Sequence, residues 1–266
     1  MASKIAEIRE MNKIPTYLAE VVRVQQIAPR MKRVTVGGDD LARFVPKGPD
    51  QFLYLLLPPP GTDELTVGTD FTWTAHRRMP KDERPVGAYY TVRHHRPERN
   101  EIDIDMVLHE VQGSEGGHAA RWAQRAVPGD PVALWGPRIC YEPSESVTDV
   151  FVFADETGLP AAYCIAESLA SGQEARLVIE VDGPEDHVAP PEGVEVTWLH
   201  RNGAAPGTTS LLEEAARELT PADPGTTYVY GGAESRAMKN IRKTVRREWK
   251  LPKEAVSLVP YWRFAE

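Results

Sequence analysis

The spacing of apolar residues changes once along this 266-residue chain, between Glu142 and Thr148, and that change restricts the fold more than any single motif does. Before it, short segments mix β-formers with partial alternation: Tyr17 to Ile27, Met31 to Val36, Gln51 to Leu57, Tyr89 to His94, Glu101 to Leu108 and Pro131 to Trp135. Gly37-Gly38, Pro58-Pro59-Pro60-Gly61 and Pro128-Gly129-Asp130 punctuate them as turns. About six short strands with turn signals predict an antiparallel barrel or sandwich. One helix interrupts them, through Ala119, Ala120, Trp122, Ala123 and Ala126, and Pro128 stops it.

After the change, strands alternate with helices. Val150 to Ala154, Ala175 to Val181, Val194 to Leu199, Thr227 to Tyr230 and Val256 to Val259 read as strands. The helices run through Ala161 to Leu169, near Thr209 to Leu219, and from about Glu234 to Trp249. That order predicts a parallel, doubly wound sheet. The chain therefore divides into an N-terminal extension over 1–16, a barrel over 17–142 and an α/β domain over 149–266.

The formal net charge of −8 opposes a general nucleic-acid binder. No apolar run reaches the length of a membrane span, and Met1 to Asn12 lacks a signal-peptide core, so the expectation is a cytoplasmic protein. Cys140 and Cys164 form no C-x-x-C pair, so no disulfide framework or protein metal site is expected.

Four constellations can carry chemistry. Tyr90-Thr91-Val92-Arg93 offers a ring, a hydroxyl and a guanidinium for a flat, phosphorylated cofactor, or is simply an exposed strand. His118, Ala119 and Ala120 open the barrel-half helix behind Gly116-Gly117, where free amides and small side chains suit an anion. Asp155, Glu156 and Thr157 stand at a strand-to-helix turn and either face a ligand or cap the helix. Gly231, Gly232, Ala233 and Glu234 form a second such turn on the same predicted sheet edge, although no G-x-G-x-x-G loop is present.

Two basic stretches stand against the acidic background. His76 to Arg99 includes Arg77, Arg78, Arg84 and Arg93 and can meet an anionic ligand. The helix after Glu234 carries Arg236, Lys239, Arg242, Lys243, Arg246 and Arg247, read as a solvated face opposite an apolar stripe. His109 ends a strand and either bonds backbone or faces a cofactor; Asp103 and Asp105 are read as the solvent side of that strand. Glu180 and Asp182 end the second strand of the α/β sheet, where free acids would bond ribose hydroxyls and favour NADH over NADPH.

Taken in order, Met31-Lys32-Arg33-Val34-Thr35-Val36, Tyr90-Thr91-Val92-Arg93, Asp105-Met106-Val107-Leu108-His109, Gly136-Pro137-Arg138, Asp155-Glu156-Thr157-Gly158-Leu159-Pro160-Ala161, Trp198-Leu199-His200-Arg201, Gly231-Gly232-Ala233-Glu234 and Tyr261-Trp262-Arg263 resemble the siderophore-interacting proteins. These are FAD-containing ferric-siderophore reductases of the ferredoxin reductase-like superfamily. The resemblance implies a six-stranded antiparallel Greek-key FAD barrel followed by a parallel-sheet NAD(P)H-binding domain. It places FAD at Tyr90, Thr91, Arg93 and His109, with its pyrophosphate at His118, Ala119 and Ala120. It places NADH or NADPH at Asp155, Glu156, Thr157 and Gly231 to Glu234, and Trp262 near the flavin or the iron chelate. Arg77, Arg78 and Arg263 would attract an anionic ferric siderophore.

The flavin would carry the chemistry, with no catalytic side chain and no protein iron ligand. An external donor such as ferredoxin is a further possible partner. Other readings are a flavin reductase of this fold with another acceptor, and a siderophore-binding protein without catalysis. The chain departs from the family pattern at Ala88, where an arginine usually stands two residues before the motif tyrosine.

Overall fold

The computed structural model describes residues 11, 13–108 and 117–264. They form two compact units, one of residues up to Lys47 and from Gln51 to Arg138, the other of Gly48–Asp50 and the chain from Ile139.

The first unit is built on β1 (Thr16–Ala28), β2 (Met31–Gly37), β3 (Phe52–Leu57), β4 (Val86–Thr91), β5 (His94–Arg96), β6 (Glu101–Val107) and β7 (Pro131–Arg138). Their order in the antiparallel sheet is β4-β3-β7-β1-β2-β6-β5. The edge strands β4 and β5 are consecutive in sequence. Between them, Val92 N donates to the Gln51 carbonyl and Arg93 N to the Asp103 carbonyl, which joins the two edges and closes the barrel. The count is seven strands because His94–Arg96 pairs with Glu101–Asp103. Three residues are too few for a pattern to register in sequence.

Alternation decides which side chains fill the barrel. Ile102, Ile104 and Met106 of β6 join Val34, Val36, Leu53, Leu55 and Leu134 in the core. The intervening Asp103 and Asp105 point the other way, yet they are buried rather than on a solvent face as the sequence suggested. Arg33 pairs with Asp105 at 2.7 Å, and Arg96 with Asp103 at 2.6 Å. Thr35 and the His94 ring add hydrogen bonds to Asp103. Cross-strand cations thus cover these carboxylates from β2 and β5.

The barrel unit holds a helix beyond the one expected. α1 (Trp73–Arg78) lies inside the long 61–85 segment, capped by Thr72 Oγ1, which accepts from Ala75 N. Trp73 anchors it, edge-on to Trp135 and Phe71. α2 (His118–Arg125) buries Ala119, Trp122 and Ala123 in the barrel core.

The second unit has β8 (Asp149–Asp155), α3 (Leu159–Glu167), β9 (Glu174–Val181), β10 (Val196–His200), α4 (Leu211–Glu218), β11 (Thr227–Glu234), α5 (Ser235–Arg247) and β12 (Val256–Trp262). The parallel sheet is ordered β10-β9-β8-β11-β12. Helices on both faces require central strands apolar on both sides, hence the unbroken Val150-Phe151-Val152-Phe153-Ala154 run of β8. α5 sinks Ala237, Met238, Ile241 and Val245 against β8 and β11 and leaves its arginines and lysines exposed.

Asp50 belongs to this unit although it precedes β3. It is wholly buried, and its Oδ2 accepts from the amides of Cys140 (2.8 Å) and Tyr141 (3.0 Å).

Candidate functional site

In the barrel unit, β4 ends on Tyr90 and Thr91, and α2 packs against that strand. β4 and α2 are therefore neighbours. Tyr90 packs on the same core as Ala119, and burial pushes its phenol far above the usual range. Thr91 Oγ1 is buried with no hydrogen-bond partner among the described residues. So is His118 Nε2, although the ring bonds the Pro58 carbonyl. Burial lowers the His118 pKa, helped by Arg121 and Arg125, against that bond. The imidazole is accordingly neutral near pH 7.

Buried polar groups are almost always paired. Thr91 Oγ1 and His118 Nε2 are open to a ligand, and with Tyr90, the buried Arg93 and the small Ala119-Ala120 pair their chemistry fits a flavin dinucleotide. Ala88, opposite Leu55, supplies no cation. Arg84 Nη2 donates to the carbonyls of Arg77 (3.0 Å) and Met79 (2.9 Å), and its Nε is buried with no partner among the described residues. Arg77 and Arg78 are exposed on α1. His109 lies outside the described residues.

In the second unit, the C-terminal ends of β8, β11 and β12 converge on Asp155. Its Oδ1 accepts from Thr157 N (2.9 Å) and Thr157 Oγ1 (2.5 Å). Its Oδ2 accepts from Glu234 N (3.1 Å) and from the indole of Trp262 (2.7 Å). Burial, reinforced by the charge of Glu156, raises the Asp155 pKa to about 6. Glu156 is turned away from this edge and bound to the buried Arg201, which also approaches Glu180 at 3.5 Å.

The Gly231–Glu234 segment is not the turn its glycines suggested. It continues β11, paired to β8 (Gly231 with Phe153) and to β12 (Gly232 with Val259). The glycines are required by close packing. A Cβ at Gly232 would stand 2.7 Å from the Tyr261 ring, and one at Gly158 only 2.0 Å from the Gly232 carbonyl oxygen. Glu234 caps α5, its Oε2 accepting from Arg236 N at 2.5 Å, and its Oε1 accepts from Phe264 N.

The acids proposed to favour NADH are both engaged. Glu180 accepts from Thr209 Oγ1 (3.0 Å), and Asp182 from Gly203 N (2.8 Å). Neither is the free acid that a preference for NADH would require.

Sequence reasoning missed the loop that carries Gly207 and Thr209. Both carbonyls accept from Arg236, at 2.9 and 2.8 Å. Beside it lies a cavity of about 350 Å³ that includes Arg236, Lys239 and Arg263 in its wall. The positive φ of Gly207 (75°) and the bare side of α5 at 236 and 239 are features no local motif announces. Among the described residues no three His, Cys, Asp or Glu side chains gather as metal ligands, and no helix is long and apolar enough to cross a membrane.

A solved siderophore utilization protein from T. fusca is 34% identical, superposes with a TM-score of 0.79 and covers 94% of each chain. The ferric vibriobactin reductase ViuB of Vibrio cholerae is 27% identical over 96% of this chain and 92% of its own. The NADPH-dependent ferric-chelate reductase of Escherichia coli is 28% identical over 91% of both. The ferredoxin reductase of carbazole 1,9a-dioxygenase shares the fold at 13% identity, with a TM-score of 0.66 over 94% of this chain and 68% of its own. The siderophore-interacting FAD-binding domain matches residues 20–141 and the siderophore-interacting protein domain residues 147–265. With family matches across nearly all its length, this chain belongs to the siderophore-interacting protein family.

Proposed function

We propose that this protein is an FAD-dependent ferric-siderophore reductase that takes its electrons from a nicotinamide dinucleotide and frees iron in the cytoplasm. The carrying observation is two buried, unpartnered polar atoms of the barrel unit, Thr91 Oγ1, next in sequence to Tyr90, and His118 Nε2 at the start of α2. The names of the Vibrio and Escherichia relatives support the same activity.

Bound FAD would supply the step between a two-electron donor and a one-electron acceptor. Tyr90 would pack against the flat ring system, and Thr91 would hydrogen-bond its polar edge. His118, neutral and donating its other ring nitrogen's proton to the Pro58 carbonyl, would accept at Nε2 from a cofactor hydroxyl, while the start of α2 at Ala119 and Ala120 would meet the pyrophosphate and Arg93 would add positive charge. At the second sheet edge, Asp155 holds Thr157, Glu234 and Trp262 in place for a dinucleotide. The exposed Arg77 and Arg78 would draw in an anionic ferric chelate. Ferric iron sits among hard oxygen donors, and lowering its charge weakens that set, so the ion can leave.

The test is an anaerobic assay of the FAD-loaded protein against catecholate, hydroxamate and citrate-type ferric complexes with a ferrous trap. NADPH, NADH and reduced ferredoxin serve in turn as donors. Flavin-dependent trapping of ferrous iron is expected. Reduction of none of the ferric complexes would overturn the reading, and equal turnover of a quinone would favour a general flavin reductase.

A further inference from the structure

We propose that the cavity beside Gly207 and the start of α5 seats the adenosine 2′-phosphate of NADPH, so that this protein selects NADPH over NADH. The inference rests on the reading of the second unit as a nicotinamide-binding unit.

The cavity measures about 350 Å³, and three of the side chains that line it are cationic: Arg236, Lys239 and Arg263. Arg236 and Lys239 are three residues apart and lie on one face of α5. Arg236 is fixed by the two carbonyls that accept from one of its terminal nitrogens. A guanidinium has five N–H donors, so others remain for a ligand. Lys239 and Arg263 make no ion pair or hydrogen bond among the described residues.

The single carboxylate in the wall, Glu234, is turned to the amides of Arg236, Ala237 and Phe264 and does not neutralise them. Phe264, 41% exposed, offers a bare ring at the cavity lip for a flat base.

Three cations against one occupied carboxylate suit a phosphate monoester, which carries close to two charges at pH 7. The bridging diphosphate is common to both dinucleotides and cannot discriminate between them. Elsewhere on this sheet edge the groups that could discriminate are engaged. Arg201 is buried between Glu156 and Glu180, while Glu180 and Asp182 already accept from Thr209 and Gly203. Discrimination therefore falls to the Arg236, Lys239 and Arg263 cluster.

The test uses the FAD-loaded full chain in calorimetric titrations with 2′,5′-ADP and 5′-AMP, probes that differ only in the 2′-phosphate. The first should bind at least about tenfold more tightly, the worth of one charge-assisted contact. The double variant Lys239→Ala, Arg263→Ala should bring the ratio close to one, and Lys239→Arg should keep it. In steady state the double variant should raise the KM for NADPH far more than it lowers kcat.

Equal affinity for the two probes, or a ratio that survives the double variant, overturns the proposal. So does a double variant that weakens ferric citrate binding and spares 2′,5′-ADP, since the cavity would then serve the chelate. If NADH and NADPH reduce the flavin equally well, this inference fails and the nicotinamide reading stands. If neither reduces it, that reading fails and this inference with it.

Discussion

The Asp155 carboxylate at the end of β8 accepts from the Trp262 indole of β12 at 2.7 Å across the one intervening strand, β11, from a residue 107 positions later in the chain. The same carboxylate accepts from Thr157 twice and from Glu234 N, four donors in all. An amide offers one oxygen and presents its own N–H groups to the remaining donors. Asp155→Asn is therefore expected to destabilise the second unit by about 2 kcal/mol, the cost of leaving buried donors unmatched. Denaturant unfolding followed by indole fluorescence checks this; an unchanged midpoint would show that the carboxylate is dispensable.

Thr91→Val keeps the side-chain shape and removes a buried hydroxyl that has no partner. The flavin-free protein should gain about 1 kcal/mol, while flavin affinity should fall about tenfold if that hydroxyl meets the cofactor. Thermal unfolding without flavin and a flavin titration read the two effects separately. In the same titration Ala88→Arg should tighten binding, because it adds a cation two residues before Tyr90.

Gly158→Ala places a Cβ 2.0 Å from the Gly232 carbonyl oxygen, a clash that only a backbone shift relieves. Its expected cost is about 3 kcal/mol, in the upper range for overpacking. Gly172→Ala is the control: that residue has φ 87° and nothing within 4 Å, so its cost should be conformational, about 1 kcal/mol. Comparable melting temperatures for the two variants would contradict the close approach.

The two units should respond oppositely to acid. Burial alone would raise Asp103, but Arg96, His94 and Thr35 overcome it and hold the carboxylate well below its usual range. A depressed acid stabilises the fold above its unfolded pKa, about 4, and that contribution is lost as pH falls below it. Asp155 is raised to about 6, so between about pH 4 and 6 the folded state holds the extra proton. Its contribution therefore declines as pH rises through that window. Hydrogen exchange should show β2–β6 amides losing protection below pH 4, while β8–β11 amides are better protected at pH 5 than at pH 7. The same trend in both sheets would refute the assignment.

The division into an antiparallel and a parallel sheet was legible because it rests on local periodicity. Val150 to Ala154 is apolar without a break, as a strand covered on both faces must be, whereas Glu101 to Val107 alternates. What escaped depended on partners distant in sequence. Asp105 reads as a surface residue until Arg33, 72 positions away, is laid across it. Gly231-Gly232 reads as a turn until Leu258 and Tyr261 of β12 are packed against it. Arg236 and Lys239 were legible as charge, but not as one wall of a cavity, because Gly207 and Arg263 come from loops without a pattern of their own.

Asp50 bears on how such a protein can be taken apart. Its carboxylate serves the amides of Cys140 and Tyr141, and with Gly48 and Pro49 it belongs to the second unit while lying within the sequence of the first. No single cleavage yields both units whole. A fragment starting at Ile139 would leave two amides without their acceptor, so a gene split at the family-domain boundary would yield a weakened second half. Exchange of one half between relatives by a single crossover would succeed only where the protein that supplies the first half carries an acid at position 50.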